Sequence, residues 1–201
     1  MGYYVRLLSP SEQVIYFSEI QQLAETVHLT AGTDQDWTEI RIAGPSEVPV
    51  AILNRLPVSD GAGRDTLVRL KSGLFGTSPV SAREWINKYL GEIKTIYAFQ
   101  LLTENLTTDA EWRTLGYIQN LLKDNLGGII QSDQEGYFNE NGDYILWQMY
   151  SGAQGSVPAA TLNENGQWTP FQLRLGDKTA VERFKQGQRP YKGFLDLIFR
   201  K

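Results

Sequence analysis

The chain contains no cysteine and a single histidine among its 201 residues. The absence of cysteine excludes disulfides, thiolate nucleophiles, sulfur-ligated zinc sites and iron–sulfur clusters. One histidine cannot supply the paired imidazoles of the common catalytic metal sites. We therefore predict neither a metal nor a cofactor, and the sequence identifies no catalytic residue.

Long apolar runs and long runs of one charge are also absent. No apolar run approaches the roughly 20 residues that cross a bilayer, and the first residues lack the basic segment and long apolar stretch of a secretory signal. The net charge of −4 disfavours nucleic acid and anionic membranes as partners, because both reward clustered Lys and Arg. These absences predict a cytoplasmic protein that binds neither nucleic acid nor membrane.

What the sequence does contain is the composition of a globular protein, with 41% hydrophobic and 21% charged residues. Its length allows one large domain or two small ones. The order of predicted elements is repeated along the chain, and a repeat of this kind is a signal of architecture. Each copy comprises a strand, a capped amphipathic helix and a two-stranded hairpin.

The first copy begins with a predicted strand over residues 3–8. A capping box that begins at Ser18 predicts a helix whose apolar stripe extends to Val27. Strands over residues 37–42 and 49–53 complete this copy.

The second copy begins with a strongly apolar strand over residues 95–102. A capping box that begins at Thr108 predicts a long amphipathic helix ending at Gly127. Strands over residues 129–138 and 144–149 then form the hairpin.

The fold class predicted from these copies is α+β, with two β-α-β-β units whose antiparallel sheets are covered mainly on one side by helices. The predicted domain ranges are 1–76 and 77–201, with one continuous domain as the alternative. The other predicted elements are a helix capped by Asp65, a loop over residues 73–79, a helix opened by Ser81 and Glu84, a hairpin over residues 159–175, a helix capped by Asp177 and a strand over residues 194–199.

The Asn141-Gly142 dipeptide predicts a two-residue type I′ turn in the second hairpin. In that register Gly136 faces Trp147, with the indole over the glycine. A three-residue bulged turn is the alternative, and it would mix the apolar and polar faces. The preferred register separates the faces, and the polar face then carries Asp133, Glu135, Tyr137, Tyr144 and Tyr150.

The oxygen-rich segment around Asp133 and Glu135 admits three interpretations. Its spacing fails as a calcium loop, because Tyr144 stands where the sharp-turn glycine belongs and no bidentate Glu follows. Two carboxylates on one strand face are compatible with acid/base chemistry of the glycosidase type. A solvated strand face is the simplest interpretation, since charges on strands also prevent unwanted strand pairing.

Tyrosines amid carboxylates are typical of protein-recognition surfaces. We therefore predict that Asp133, Glu135, Tyr137 and Tyr144 are exposed together and bind another protein. Residues 127–137, which read GGIIQSDQEGY, resemble the small α+β immunity proteins that neutralise bacterial toxins. The resemblance covers less than a tenth of the chain and implies a protein as the partner.

The favoured function is accordingly a non-enzymatic, cytoplasmic protein-interaction module, of the immunity-protein kind by this resemblance. The alternative is a hydrolase or small-ligand-binding protein with a pocket between the repeats. His28 is predicted to end the first helix, where a cation stabilises the helix C-terminus. Trp85, Trp112 and Trp147 lie on apolar stripes and are predicted to be core residues.

Overall fold

The computed structural model describes residues 2–23, 27–44, 47–150 and 152–190. Within these ranges the chain forms ten β-strands, five α-helices and one short 3-10 helix. Most of the strand pairs are antiparallel. The predicted mixture of helices with mainly antiparallel strands is therefore confirmed.

Two compact units make up the chain, and each is built from two stretches of sequence. Unit 1 comprises Met1–Val68 and Glu92–Gly128, and unit 2 comprises Arg69–Gly91 and Ile129–Lys201. The units thus alternate along the chain and differ from the ranges 1–76 and 77–201. The ranges 1–76 and 77–201, as the bounds of two β-α-β-β units, stay a prediction.

Unit 1 contains an antiparallel sheet built around its most apolar strand. Its strands are β1 Tyr3–Ser9, β2 Val27–Ala31, β3 Glu39–Ala43, β4 Pro49–Pro57 and β5 Thr95–Leu101. They are ordered β1-β5-β4-β3-β2. Leu7, Leu53 and Tyr97 lie in the adjacent strands β1, β4 and β5, on one face of the sheet, and are fully buried. The strand that opens the second predicted copy therefore pairs with the first and last strands of the first copy.

The N-cap of helix α1, Phe17–Gln21, is Tyr16 and not the predicted Ser18. The backbone N–H of Tyr16 donates to the Glu19 carboxylate at 2.8 Å. Ser18 lies inside the helix and its N–H donates to Asp34 at 2.7 Å. The cap prediction is wrong because these two carboxylates satisfy the helix N-terminus, and Val27 begins β2 as a buried strand residue.

His28 therefore lies in a strand and not at a helix C-terminus. Its position in β2 pairs with Arg41 in β3, and its side chain is exposed. Alternation along the strand explains this placement, since the preceding Val27 faces the core. The predicted interaction of His28 with a helix end is wrong.

Two helices near the boundary between the units begin earlier than predicted. Helix α2, Gly61–Ser72, follows Asp60, whose carboxylate accepts the Gly63 N–H at 2.8 Å. Helix α3, Val80–Tyr89, follows Pro79, which has an extended conformation as its N-cap. The predicted caps at Asp65 and Ser81 are wrong, because both residues already lie inside a helix.

Helix α4, Asp109–Leu126, begins and ends where the sequence predicts. The Glu111 N–H donates to Thr108 Oγ1 at 3.4 Å, and Glu111 Oε2 accepts the N–H groups of Thr107 and Thr108 at 2.7 and 2.8 Å. These backbone hydrogen bonds, that of Thr108 first, hold the pKa of Glu111 below its ordinary range. Gly127 ends the helix with a φ of 63°.

Unit 2 contains five strands and an aromatic core. The strands are β6 Ile129–Ser132, β7 Gly136–Phe138, β8 Tyr144–Trp147, β9 Ser156–Leu162 and β10 Trp168–Arg174, in the order β10-β9-β8-β7-β6. Strands β8 and β9 pair in parallel. Helix α5, Lys178–Lys185, is capped by Asp177 as predicted, with Ala180 N–H donating at 3.0 Å. The predicted strand over residues 194–199 lies outside the described residues.

The second hairpin closes with a different turn from the one predicted. Asn139 N–H donates to Asp143 O and Gly142 N–H to Asn139 O, both at 2.9 Å, with Gly142 at a φ of 82°. This is a type I turn followed by a glycine bulge, so the type I′ prediction is wrong. Phe138 then faces Tyr144 and not Ile145.

A second irregularity in the same hairpin compensates for the first. The register shifts between Tyr137 and Phe138, which places Gly136 opposite Trp147. The predicted pairing of Gly136 with Trp147 is therefore confirmed, although the turn that was expected to produce it is absent. The ring that approaches Gly136 is that of Tyr144, because a Cβ on Gly136 would lie 3.0 Å from Tyr144 Cε2.

The predicted tryptophan core is only partly correct. Trp112 is 50% exposed, because it lies at the border of the buried stripe of α4. Trp85 and Trp147 are half-buried, and their rings contact Trp168 and Tyr144. The sequence gives no firm prediction for Trp37, which is fully buried in unit 1.

Candidate functional site

The four residues of the predicted binding face do not share an exposed surface. Asp133 and Glu135 are half-buried in the turn between β6 and β7. Tyr137 and Tyr144 are buried within unit 2, with 2% and 0% of their surface exposed. Both faces of β8 are covered, since residues 144–146 are all fully buried. The prediction of joint exposure is therefore wrong for the two tyrosines.

Tyr144 connects segments of unit 2 from the inside. Its hydroxyl donates to the Glu135 carbonyl oxygen at 2.6 Å and accepts the Gln148 N–H at 3.0 Å. Burial raises the pKa of the Tyr144 phenol far above its ordinary value, and the Glu135 carboxylate adds to this effect, while the N–H groups of Gln148 and Met149 oppose it. The phenol therefore stays protonated and holds the acidic turn against the end of β8.

The end of β8 is also bound to the loop over residues 73–79. Trp147 N–H donates to Ser78 O at 2.7 Å. The Gln148 side chain donates to Gly73 O at 3.3 Å, while its backbone N–H also reaches Glu135 O at 3.1 Å. Three segments of unit 2, namely the acidic turn, the end of β8 and the 73–79 loop, are thus joined by hydrogen bonds.

Phe75 lies at the tip of that loop with 95% of its surface exposed. The loop backbone is nevertheless well bonded, since the N–H groups of Gly73, Leu74 and Phe75 donate to the last turn of α2 at 2.9, 3.2 and 3.3 Å. Thr77 Oγ1 donates to Leu74 O at 2.7 Å, and the Leu74 side chain is buried. The loop therefore presents Phe75 to solvent from a fixed base.

Tyr150 is a second exposed aromatic residue of unit 2, with 74% of its surface exposed. It lies two residues after Gln148, the residue that bonds to both the acidic turn and the loop. We name this candidate site the aromatic–acidic surface, and its members are Phe75, Asp133, Glu135, Gln148 and Tyr150. It retains the predicted acids and replaces both predicted tyrosines.

Sequence reasoning missed Phe75 because it treated residues 73–79 only as a loop. A usable signal was present, since Phe75 lies between Gly73 and Gly76. A large aromatic residue between turn-forming glycines has no helical or strand face on which to be buried. Such a residue is a candidate for exposure.

In the second hairpin, a side-chain oxygen atom accepts hydrogen bonds from the backbone of the turn. Asn139 Oδ1 accepts the N–H groups of Asn141 and Asp143 at 3.0 and 2.9 Å, and Asn139 is fully buried. This oxygen therefore caps backbone donors and does not point toward a cation. Among the described residues, no group of three or more His, Cys, Asp or Glu side chains could hold a metal ion.

Unit 1 contains a separate polar cluster around a buried arginine. Arg55 is almost fully buried, its Nε donates to Trp37 O at 2.9 Å and its Nη2 pairs with Asp36. Burial raises the pKa of the neighbouring Tyr97 to about 12, against the opposing charge of Arg55. The Arg55 contacts fix the segment before β3 to β4, and Trp37 Nε1 in turn donates to Ile15 O at 2.7 Å.

No protein-family model matches the chain, and no curated protein or solved structure is significantly similar to it. Within the described residues, no helix has the length and apolar character required to span a membrane.

Proposed function

We propose that this chain is a non-enzymatic protein-interaction module that binds another protein through the aromatic–acidic surface. The observation that supports the proposal best is the exposure of Phe75, of which 95% is in contact with solvent. Burying a phenylalanine side chain is worth about 1.5–3 kcal/mol, so a partner that covers Phe75 would gain a large part of its affinity there. Large aromatic side chains are also enriched among the residues that dominate protein interfaces.

The fixed base of the loop supports the same proposal. A flexible loop would lose conformational entropy on binding, and a loop already held by hydrogen bonds loses less. The Ser78–Trp147 and Gly73–Gln148 hydrogen bonds hold the two ends of the loop against β8. Phe75 is thus presented in a pre-organised position.

Asp133 and Glu135 would contribute mainly to orientation and rate of association. Charged groups at the rim of an interface steer the encounter and change affinity less than a buried anchor does. The resemblance of residues 127–137 to immunity proteins is consistent with this role for the acidic turn. A cytoplasmic location belongs to the same proposal.

The test is a comparative capture from the native cell with the full chain as bait. Phe75→Ala should lose proteins that the wild type retains, because the anchor is removed. Tyr117→Ala is the matched control, since Tyr117 is an exposed aromatic residue, at 58%, of unit 1. A protein lost with Phe75→Ala and retained with Tyr117→Ala supports the proposal, and equal capture by all three baits contradicts it.

The two-repeat layout is also retained as a proposal. Its support is the repeated order of elements: β1 and α1 are followed by antiparallel strands that begin with β2 and β3, and β5 and α4 are followed by antiparallel strands that begin with β6 and β7. Superposition of the two copies in an experimental structure tests it. Unrelated placement of β1 and β5 relative to their helices would contradict a common origin of the two copies.

A further inference from the structure

The outward face of α4 carries an exposed tryptophan beside a glycine with open space above it. Trp112 is 50% exposed, and a Cβ placed on Gly116 would meet nothing within 4 Å. Trp112, Gly116 and Asn120 are spaced four residues apart and so lie on one side of the helix. Asp109 and Lys123 lie on the same side, near the two ends of the helix.

We propose that this face binds α4 of a second copy of the chain in an antiparallel helix pair centred on Gly116. The spacing of the residues provides the first argument. Asp109 lies seven residues before Gly116 and Lys123 seven residues after it, while Trp112 and Asn120 lie four residues before and after it. A two-fold axis at Gly116 therefore places Asp109 level with Lys123 of the second copy, and Trp112 level with Asn120.

Charge complementarity provides the second argument. The pairing brings an acid against a base at both ends, with no like charges opposite each other among these five residues. Antiparallel helices also place the positive N-terminal end of each macrodipole beside the negative C-terminal end of the other. A parallel pair would align Asp109 with Asp109 and Lys123 with Lys123, so the face selects the antiparallel arrangement.

Gly116 provides the third argument, because it is the residue at the centre of the face. Helix axes pack about 8–10 Å apart depending on the side chains at the contact, and glycine allows the shorter distance. At that distance the two Trp112 rings flank the crossing point and cover the glycines. A single helix pair buries a small area, so the dimer is of the weak and transient class.

Sedimentation equilibrium of the purified full chain, from about 1 µM to about 1 mM, covers the affinity range of such an interface. We expect the wild type to dimerise within this range and Trp112→Ala to dimerise at least about tenfold more weakly. Tyr117→Ala is the control, because Tyr117 lies about 100° around the helix from Gly116 and should leave the equilibrium unchanged. A wild type that stays monomeric throughout overturns the proposal.

A charge-exchange experiment separates this interface from any other mode of association. Asp109→Lys places two lysines opposite each other at both ends of the pair, and Lys123→Asp does the same with two aspartates. Each variant alone should dimerise at least about tenfold more weakly than the wild type. An equimolar mixture restores both opposite-charge pairs and should form the heterodimer, which also shows that each variant is folded. Dimers that persist in each single variant, or a mixture that stays monomeric, overturn the proposal.

Discussion

The side chain of Glu111 occupies the space above Gly44. A Cβ added to Gly44 would lie 2.8 Å from Glu111 Oε1 and 2.9 Å from its Cγ. We therefore expect Gly44→Ala to push Glu111 out of its hydrogen bonds with Thr107 and Thr108. Overpacking of this kind costs about 1–3 kcal/mol of unfolding free energy, measurable by urea denaturation. Gly61→Ala is the control, because a Cβ there meets nothing within 4 Å; equal stability of the two variants would contradict the expectation.

The pH dependence of stability should report the same carboxylate. The pKa of Glu111 is lowered from its ordinary value of 4.5, chiefly by the hydrogen bond from Thr108 N–H. The folded state therefore binds the proton less tightly than the unfolded state, so this contribution to stability is present above pH 4.5 and is lost as the pH falls through the folded pKa. Over that acidic range, the thermal midpoint of Glu111→Gln should change less with pH than the thermal midpoint of the wild type. Parallel profiles for the two proteins would contradict the assignment.

Gly136 should tolerate no side chain. Its φ is 135°, and a Cβ there would overlap the carbonyl oxygen of Leu146 as well as approach the Tyr144 ring. We expect Gly136→Val to cost about 3 kcal/mol or more, since backbone strain adds to overpacking.

Gly116→Ala should have the opposite effect and stabilise the protein at low concentration by about 0.5–1 kcal/mol, because Gly116 is helical and unobstructed. Chemical denaturation of both variants checks the pair.

The tetrapeptide Asn-Glu-Asn-Gly occurs at residues 139–142 and again at residues 163–166, which allows a buried and an exposed copy of one turn to be compared. Asn139 and Asn163 each accept two backbone N–H groups through Oδ1, at 2.9 and 3.0 Å in both turns. Asn139 is buried and Asn163 is exposed. Asn139→Ala should cost about 1–3 kcal/mol, because it removes a fully buried acceptor from two partly buried hydrogen bonds, while water replaces the lost acceptor in Asn163→Ala. Equal losses of stability would contradict this explanation.

Local signals predicted the elements well where one residue decides the geometry. Thr108 with Glu111, Gly127 and Asp177 begin or end helices because their side chains or backbone freedom satisfy the helix termini directly. The cap at Ser18 failed because Asp34, sixteen residues away, competes for the same N-terminus. The contact between Asp34 and the Ser18 N–H forms only in the folded chain, so the residues around Ser18 could not predict it.

The candidate site was predictable only in part for a similar reason. Asp133 and Glu135 were found from their composition, but the burial of Tyr137 and Tyr144 depends on what covers both faces of β8. The strand alternation that separates two faces does not reveal whether the second face is also covered. Phe75 is exposed, and two of the hydrogen bonds that fix its loop come from Trp147 and Gln148, far along the chain.

The charge of the acidic turn should affect the rate of association, whereas the Phe75 anchor should affect the affinity. Glu135→Lys is expected to leave the thermal midpoint nearly unchanged, because reversing the charge of a half-exposed side chain changes stability little. The same change should lower the association rate of a captured partner, and the difference should shrink as salt is added. Surface plasmon resonance at two ionic strengths measures both quantities. An unchanged association rate would remove the turn from the proposed interface.

Calorimetric titration of a captured, purified partner into wild-type and Phe75→Ala chains tests the proposed function most directly. Removal of a central aromatic anchor typically costs at least 2 kcal/mol, so we expect the dissociation constant to rise about 30-fold or more. The thermal midpoint of Phe75→Ala should match that of wild type, because the side chain contributes almost no burial to the folded chain. An unchanged dissociation constant in a folded Phe75→Ala chain would contradict the account.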